Sequence, residues 1–215
     1  MEITFLGHAS FRLRGKSANL VTDPYDSEMV GFKYPETQAD IVTISHDHAD
    51  HNRAEQVKGV SKVVSGPGEY EIKGVSIIGM PSFHDNKKGA LRGKNTIYVI
   101  EMDNLRVAHL GDLGHTLKDD FFSSLGEIDI LMIPVGGEYT IGATDAVQVV
   151  HSIEPEIILP MHYQMKGLKK DTFAKLSGVD GFLKETGFIV EREPKLIVKK
   201  EGLTGEQKIV VLEKK

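Results

Sequence analysis

The chain contains no cysteine. That absence removes disulfides, zinc–thiolate sites, iron–sulfur clusters and thiol nucleophiles together. Any metal must then be held by imidazole and carboxylate, ligands that suit zinc, iron or manganese. A long apolar run is also missing: nothing approaches the roughly 18 unbroken apolar residues of a membrane helix. The first residues, MEITFLGHASFRLRG, alternate polar and apolar without the apolar core of a secretory signal. The cytoplasm is therefore the expected location, with no membrane partner. Nor is there an excess of basic charge, since 26 Lys and Arg face 31 Asp and Glu for a net charge of −5. A polyanion binder is normally basic, so no nucleic-acid partner is expected. With no linker or low-complexity tract, residues 1–215 are expected to form a single domain.

What is present is strand first, helix later. The alternation of Ile3–Leu13 and the runs Asn19–Thr22, Asp40–Ile44 and Ser61–Val64 predict strands. Glu69–Lys73 with Val75–Met80, and Thr96–Met102 with Leu105–Leu110, predict hairpins about Gly74 and Asp103-Asn104. A short helix is expected around Arg53–Lys58. In the second half, helices near Leu117–Ser124 and Thr144–Ser152 precede the apolar strands Ile130–Pro134 and Glu156–Pro160, with Thr144 placed as an N-cap. A last helix near Lys170–Leu176 precedes strands Lys195–Lys199 and Lys208–Leu212. Sheets packed together with helices outside them are the expected α/β arrangement.

Histidine is concentrated where one strand ends. After Ile41–Ile44 comes SHDHADH, an HxHxDH pattern of His46, His48, Asp50 and His51. Its chance occurrence in a chain of this composition is about one in a thousand. His46 and His48, two apart in an extended loop, can point to one side. Asp50 and His51 are adjacent, so they diverge and can serve a second metal a few Å away. Other ligand types follow other strands: His84 after Met80–Phe83, Asp112 in HLGDLGH and His162 in LPMHYQ. A site at one edge of a sheet would need this distribution. His109, three residues before Asp112, competes with His84 for a ligand's place. Asp23, in TDP, is a candidate to orient a ligand histidine, because metal-bound imidazoles usually need such a partner.

HxHxDH, a lone histidine, GD after a strand and a late PMH together resemble the metallo-β-lactamase-fold hydrolase superfamily. The phrases GHASF, TDP, GPGEYEI, FHD, RGKNTIYVI, HLGDLGH and PMHYQ are similar to a branch of small metal-dependent hydrolases. That branch is related to ascorbate-6-phosphate lactonase and to the phospholipase D acting on N-acyl ethanolamine lipids. The resemblance runs from about Ile3 to Gln164. It implies a four-layer αββα sandwich of two mixed β-sheets with outer helices. It further implies two divalent ions, zinc first with manganese or iron as alternatives. His46, His48 and His84 would hold one ion, Asp50, His51 and His162 the other, and Asp112 would bridge them. The FHD context favours His84 over His109.

Two such ions with Asp50, Asp112 and a bridging hydroxide leave a net positive site, which favours an anionic substrate or one that develops an oxyanion. The expected activity is hydrolysis of a small, anionic ester, lactone or phosphodiester, with Asp50 and Asp112 as catalytic residues. Arg92, Lys94 and Lys166 are candidate anion contacts, and Tyr163 a candidate oxyanion donor. The alternatives are a nuclease-type phosphodiesterase, disfavoured by charge and length, and a metal-binding module without turnover. A third, an iron redox protein, would usually bring a flavin domain that no residues remain to form. A short, strand-rich chain leaves the rim of such a site thinly covered, which a second copy of the chain could complete.

Overall fold

A computed structural model describes all 215 residues. Two sheets face each other. In the first the strand order is Leu196–Ile197, Glu2–Gly7, Ser10–Arg14, Asn19–Thr22, Ile41–Ile44, Lys62–Ser65. The second runs Ile189–Glu193, Lys208–Leu212, Ile157–Met161, Ile130–Pro134, Leu105–His109, Lys94–Met102, Val75–Phe83, Gly68–Ile72. Both are mixed: Asn19–Thr22, Ile41–Ile44 and Lys62–Ser65 are parallel, as are Leu105–His109, Ile130–Pro134 and Ile157–Met161.

Ile130–Pro134 and Ile157–Met161 of the second sheet are apolar at every position because both of their faces are covered. Ile130, Met132, Ile157, Leu159 and Val210 point into the core between the sheets, against Ile3, Phe5, Leu20 and Ile41. Their neighbours Leu131, Ile133, Ile158, Ile209 and Val211 point outward, under Val149 and Val150 of helix Ala143–Ile153 and Phe182 of helix Asp180–Thr186. The outer face of the first sheet has a thinner cover. There Leu6, Val21 and Val42 pack under Tyr25, Val30, Phe32 and Phe173, carried by loops and the short helices Ser27–Val30 and Lys170–Phe173. The result is the four-layer α/β sandwich that the resemblance implies.

Both hairpins form about the expected residues. Lys73-Gly74 (φ 52° and 75°) and Asp103-Asn104 (φ 55° and 64°) take the left-handed conformation that a tight hairpin turn needs at both positions. Several expectations are corrected. Around Arg53–Lys58 there is one 3-10 turn, Ala54–Gln56, leading into the two-residue strand Val57–Lys58. Thr144 lies inside its helix, whose N-cap is Gly142 with no side-chain cap. The helix expected at Lys170–Leu176 stops at Phe173. Helix Asp180–Thr186 and strand Ile189–Glu193 were not expected at all. No helix is long and apolar enough to cross a membrane.

The connectivity fixes where chemistry can gather. Strands Glu2–Gly7, Asn19–Thr22, Ile41–Ile44, Val75–Phe83, Leu105–His109 and Ile157–Met161 all end at the same margin of the sandwich. The residues that follow them include His8, Asp23, His46, His84, Asp112 and His162.

Candidate metal centre

Two groups of ligand atoms assemble at that margin. His46, His48 and His84 form one and His8, Asp50, His51 and His162 the other, with the ligand atoms of each group all within 4.8 Å of one another. Asp112 lies between them. Its Oδ2 is 3.1 Å from His84 Nε2 and 3.9 Å from His46 Nε2, and also 3.3 Å from His51 Nε2 and 3.2 Å from His162 Nε2. One carboxylate oxygen is thus within reach of both groups. Asp112 is only 1% exposed.

The orientations of the rings are set from behind. Asp23 Oδ2 accepts from His51 Nδ1 at 2.8 Å and from Ser45 Oγ at 2.5 Å, while Asp23 Oδ1 accepts from the Ser45 peptide N–H at 2.8 Å. With its own proton committed to Asp23, Ser45 Oγ accepts from His46 Nδ1 at 2.9 Å. One carboxylate therefore fixes a histidine of each group in the tautomer whose Nε2 carries a free lone pair. Asn95 Oδ1 accepts from the Asp112 peptide N–H at 3.0 Å, and its Nδ2 donates to Leu110 O at 2.9 Å, holding the GD turn. Glycine at 114 is required by contact: a Cβ there would run into the backbone of His84.

Buried polar atoms are normally hydrogen-bonded. Here His46 Nε2, His51 Nε2, His162 Nε2 and Asp112 Oδ1 are buried without a hydrogen-bond partner. The lone pairs converge on shared points instead of on each other, an arrangement that suits a cation with nitrogen and oxygen ligands. Charge agrees. For Asp112, burial would raise the carboxyl, but His162, His51 and His84 outweigh it and hold it well below the usual range. Asp50 is likewise held low against burial, by His51 and His8. Burial and the neighbouring His51 hold His46 well below the ordinary imidazole value. His51 is the exception: burial acts downward, but Asp112 and Asp50 overcome it and raise the ring well above that value, so it carries a proton that a cation, bound between the same carboxylates, would displace. Ionised carboxylates and neutral imidazoles are the forms that bind metal.

His109 stands apart from both groups. Its Nε2 donates to Ala9 O at 2.9 Å and its Nδ1 accepts from the Gly111 N–H at 3.2 Å, so both nitrogens are spent on backbone. His8, in the GHAS turn, stands beside the second group and supports Asp50. It sits in a left-handed conformation (φ 58°), its ring centroid is 4.2 Å from that of His162, and its Nε2 donates to Asp50 Oδ2 at 3.1 Å. Burial and His162 push it down to about 4. The signal available was the GHAS turn at a strand end.

A cavity of about 420 Å³ opens over the cluster. His48, Asp50, His84, Asp112 and His162 form its floor, Met29, Tyr139 and Phe173 its apolar walls, and Arg92 lines it as well. Lys94, Lys166, Tyr163 and His115 do not. Tyr163 is buried in the outer core, which pushes its hydroxyl up to about 12. His115 is bonded to the backbone of Thr116 and Phe83, and His151 is exposed at a helix end.

Asp85, part of the FHD phrase but given no role by sequence reasoning, builds the loop that carries Arg92. Its Oδ1 accepts from Lys87 N (2.7 Å) and Gly89 N (3.0 Å), and its Oδ2 from Leu91 N (2.9 Å) and Arg92 N (2.7 Å). Burial acts upward on this carboxyl, but these amides, led by Arg92 and Lys87, hold it at about 2. A folded-state value below the unfolded one of about 3.9 makes the ionised group stabilising above that pH, with the contribution lost as pH falls through the folded value. Urea unfolding of metal-free wild type and Asp85→Asn should therefore show a constant gap in midpoint above about pH 4 that narrows toward pH 2. A gap that stays constant down to pH 2 would refute the role.

The family described as Beta-lactamase superfamily domain matches residues 2–162. The chain belongs to that superfamily. A Thermotoga maritima protein assigned, with no substrate named, as a Zn-dependent hydrolase of the metallo-beta-lactamase superfamily is 39% identical. That likeness covers 99% of this chain and 98% of that one, with a TM-score of 0.83. A metal-dependent hydrolase of Thermococcus onnurineus is 29% identical over 191 residues, 76% of this chain and 84% of that one. Igni18, a metallo hydrolase of Ignicoccus hospitalis, shares the superfamily's fold, with 21% identity over 99% of this chain and 94% of that one and a TM-score of 0.70.

Proposed function

We propose that the protein is a hydrolase dependent on two divalent cations, zinc first, acting on a small anionic ester, lactone or phosphodiester. The observation that carries this reading is Asp112 Oδ2, within 3.1–3.9 Å of four imidazoles drawn from both ligand groups. His46, His48 and His84 would hold one cation, Asp50, His51 and His162 the other, and Asp112 both. Such ions supply Lewis acidity and bring the pKa of a water toward about 7. The chain does the rest. Asp23 and Ser45 keep His51 and His46 aimed inward, and Met29, Tyr139 and Phe173 limit water around the reacting group. Asp50, ionised and fixed by His8, accepts the proton of the attacking water and returns it to the leaving group. No covalent intermediate is needed, in keeping with a chain that lacks cysteine.

The test is a hydrolysis panel of sugar-phosphate lactones, bis-p-nitrophenyl phosphate, thioesters, acyl amides and 4-nitrophenyl esters. Turnover of an ester, lactone or phosphodiester that stops on chelation and returns with zinc, manganese or iron(II) is the expected result. Turnover that persists in the stripped protein would refute the reading.

A further inference from the structure

We propose that Arg92 is an anion-recognition subsite. On this assignment the ligand of the cavity carries, apart from the group presented to the metal cluster, a second negative group that the Arg92 guanidinium receives. The shared chemistry is that of a carboxylate or a phosphate. That the ligand is a substrate rests on the hydrolase reading, but the binding subsite stands or falls separately.

Arg92 is the one side chain lining the cavity that is cationic at every working pH. It is half-buried, yet no carboxylate pairs with it, whereas Arg53, Arg106 and Arg192 are paired with Asp26, Glu101 and Asp180. A partly desolvated charge with no partner is costly and tends to be kept where a ligand supplies the counter-charge. Arg92 is also preorganised from two sides. Asp85 Oδ2 holds its peptide N–H at 2.7 Å, and its guanidinium lies 5.4 Å from the centre of the Tyr139 ring. Tyr139 is itself fixed, its hydroxyl donating to Thr172 O at 2.6 Å. A cation–π contact uses no N–H donor of the guanidinium, and free donors are what grip carboxylate or phosphate through two parallel bonds. The cavity is small and walled by Met29, Tyr139 and Phe173, so the piece joining the two groups is short and mostly apolar. Lys94 and Lys166, outside the cavity, have no part in this.

The experiment uses the full chain loaded with zinc and compares dicarboxylates of increasing length (succinate, glutarate, adipate) with butyrate by calorimetric titration. Butyrate can engage only the metal cluster, whereas a dicarboxylate of the right length also reaches Arg92. Wild type should bind its best dicarboxylate about ten- to hundredfold more tightly than butyrate. Arg92→Ala should lose that preference with zinc content and butyrate affinity unchanged, and Arg92→Lys should keep part of it, as a single-point cation would. Matched esters give a second readout: mono-4-nitrophenyl glutarate should lose kcat/KM in Arg92→Ala through KM, while 4-nitrophenyl acetate stays within about threefold. No dicarboxylate preference in wild type, or a preference that survives Arg92→Ala, overturns the subsite. Absence of turnover across the whole hydrolysis panel with the preference intact would refute the hydrolase reading and leave the subsite standing.

Discussion

Replacing Asp112 with alanine should abolish both metal loading and turnover. Its Oδ2 is the atom shared by the two ligand groups, so its removal is expected to loosen both cations instead of one. Losing several kcal/mol of charge stabilisation lowers a rate about tenfold per 1.4 kcal/mol, so kcat/KM should fall roughly a thousandfold or more. Stability shows the same loss. Cations that bind only the folded chain stabilise it by about 4 kcal/mol at a thousandfold excess over Kd. Chelation should therefore lower the melting temperature of wild type markedly and that of Asp112→Ala hardly at all. Asp112→Asn, nearly the same shape without the charge, controls for packing. If it loads two ions and turns over at the wild-type rate, the shared-carboxylate role is wrong.

Asp23 is the second large effect, and it acts without touching a cation. The carboxylate receives His51, Ser45 Oγ and the Ser45 peptide N–H in a fully buried position. Removing such a partner from metal-ligating imidazoles typically costs about 10–100-fold in metal affinity. Each donor left buried without an acceptor adds about 1–3 kcal/mol of destabilisation. Asp23→Ala should accordingly need more free zinc for half-maximal activity and melt several degrees lower, yet regain most of its kcat at saturating metal. Failure to regain kcat would place Asp23 in the chemistry instead of behind it.

Much of this site could be read from the chain because the fold puts ligands at strand ends. Ile157–Met161 is apolar throughout and Ile41–Ile44 is apolar but for Thr43, and the polar residues straight after each run mark the margin where chemistry gathers. Contacts between distant segments were harder to read. His8 meets Asp50 across 42 positions, and Arg92 meets Tyr139 across two loops with no periodic pattern. Asp85 organises a loop by accepting four peptide N–H groups, a role that depends on backbone geometry and leaves little trace in residue types. Secondary structure failed where local signals were weak. Helix Asp180–Thr186 has Val179 as its N-cap with no side-chain cap, carries Gly181 in its first turn and buries only Phe182. In helix Ala143–Ile153 a glycine took the N-cap place that Thr144 was expected to fill, since glycine, too, allows the extended backbone of that position.

The most direct test of the paired-cation site is the zinc stoichiometry of stripped and reloaded protein, measured by mass spectrometry of the metal against chain concentration. The account predicts two ions per wild-type chain, both lost together in Asp112→Ala. A wild-type chain that takes up one ion or none would contradict it.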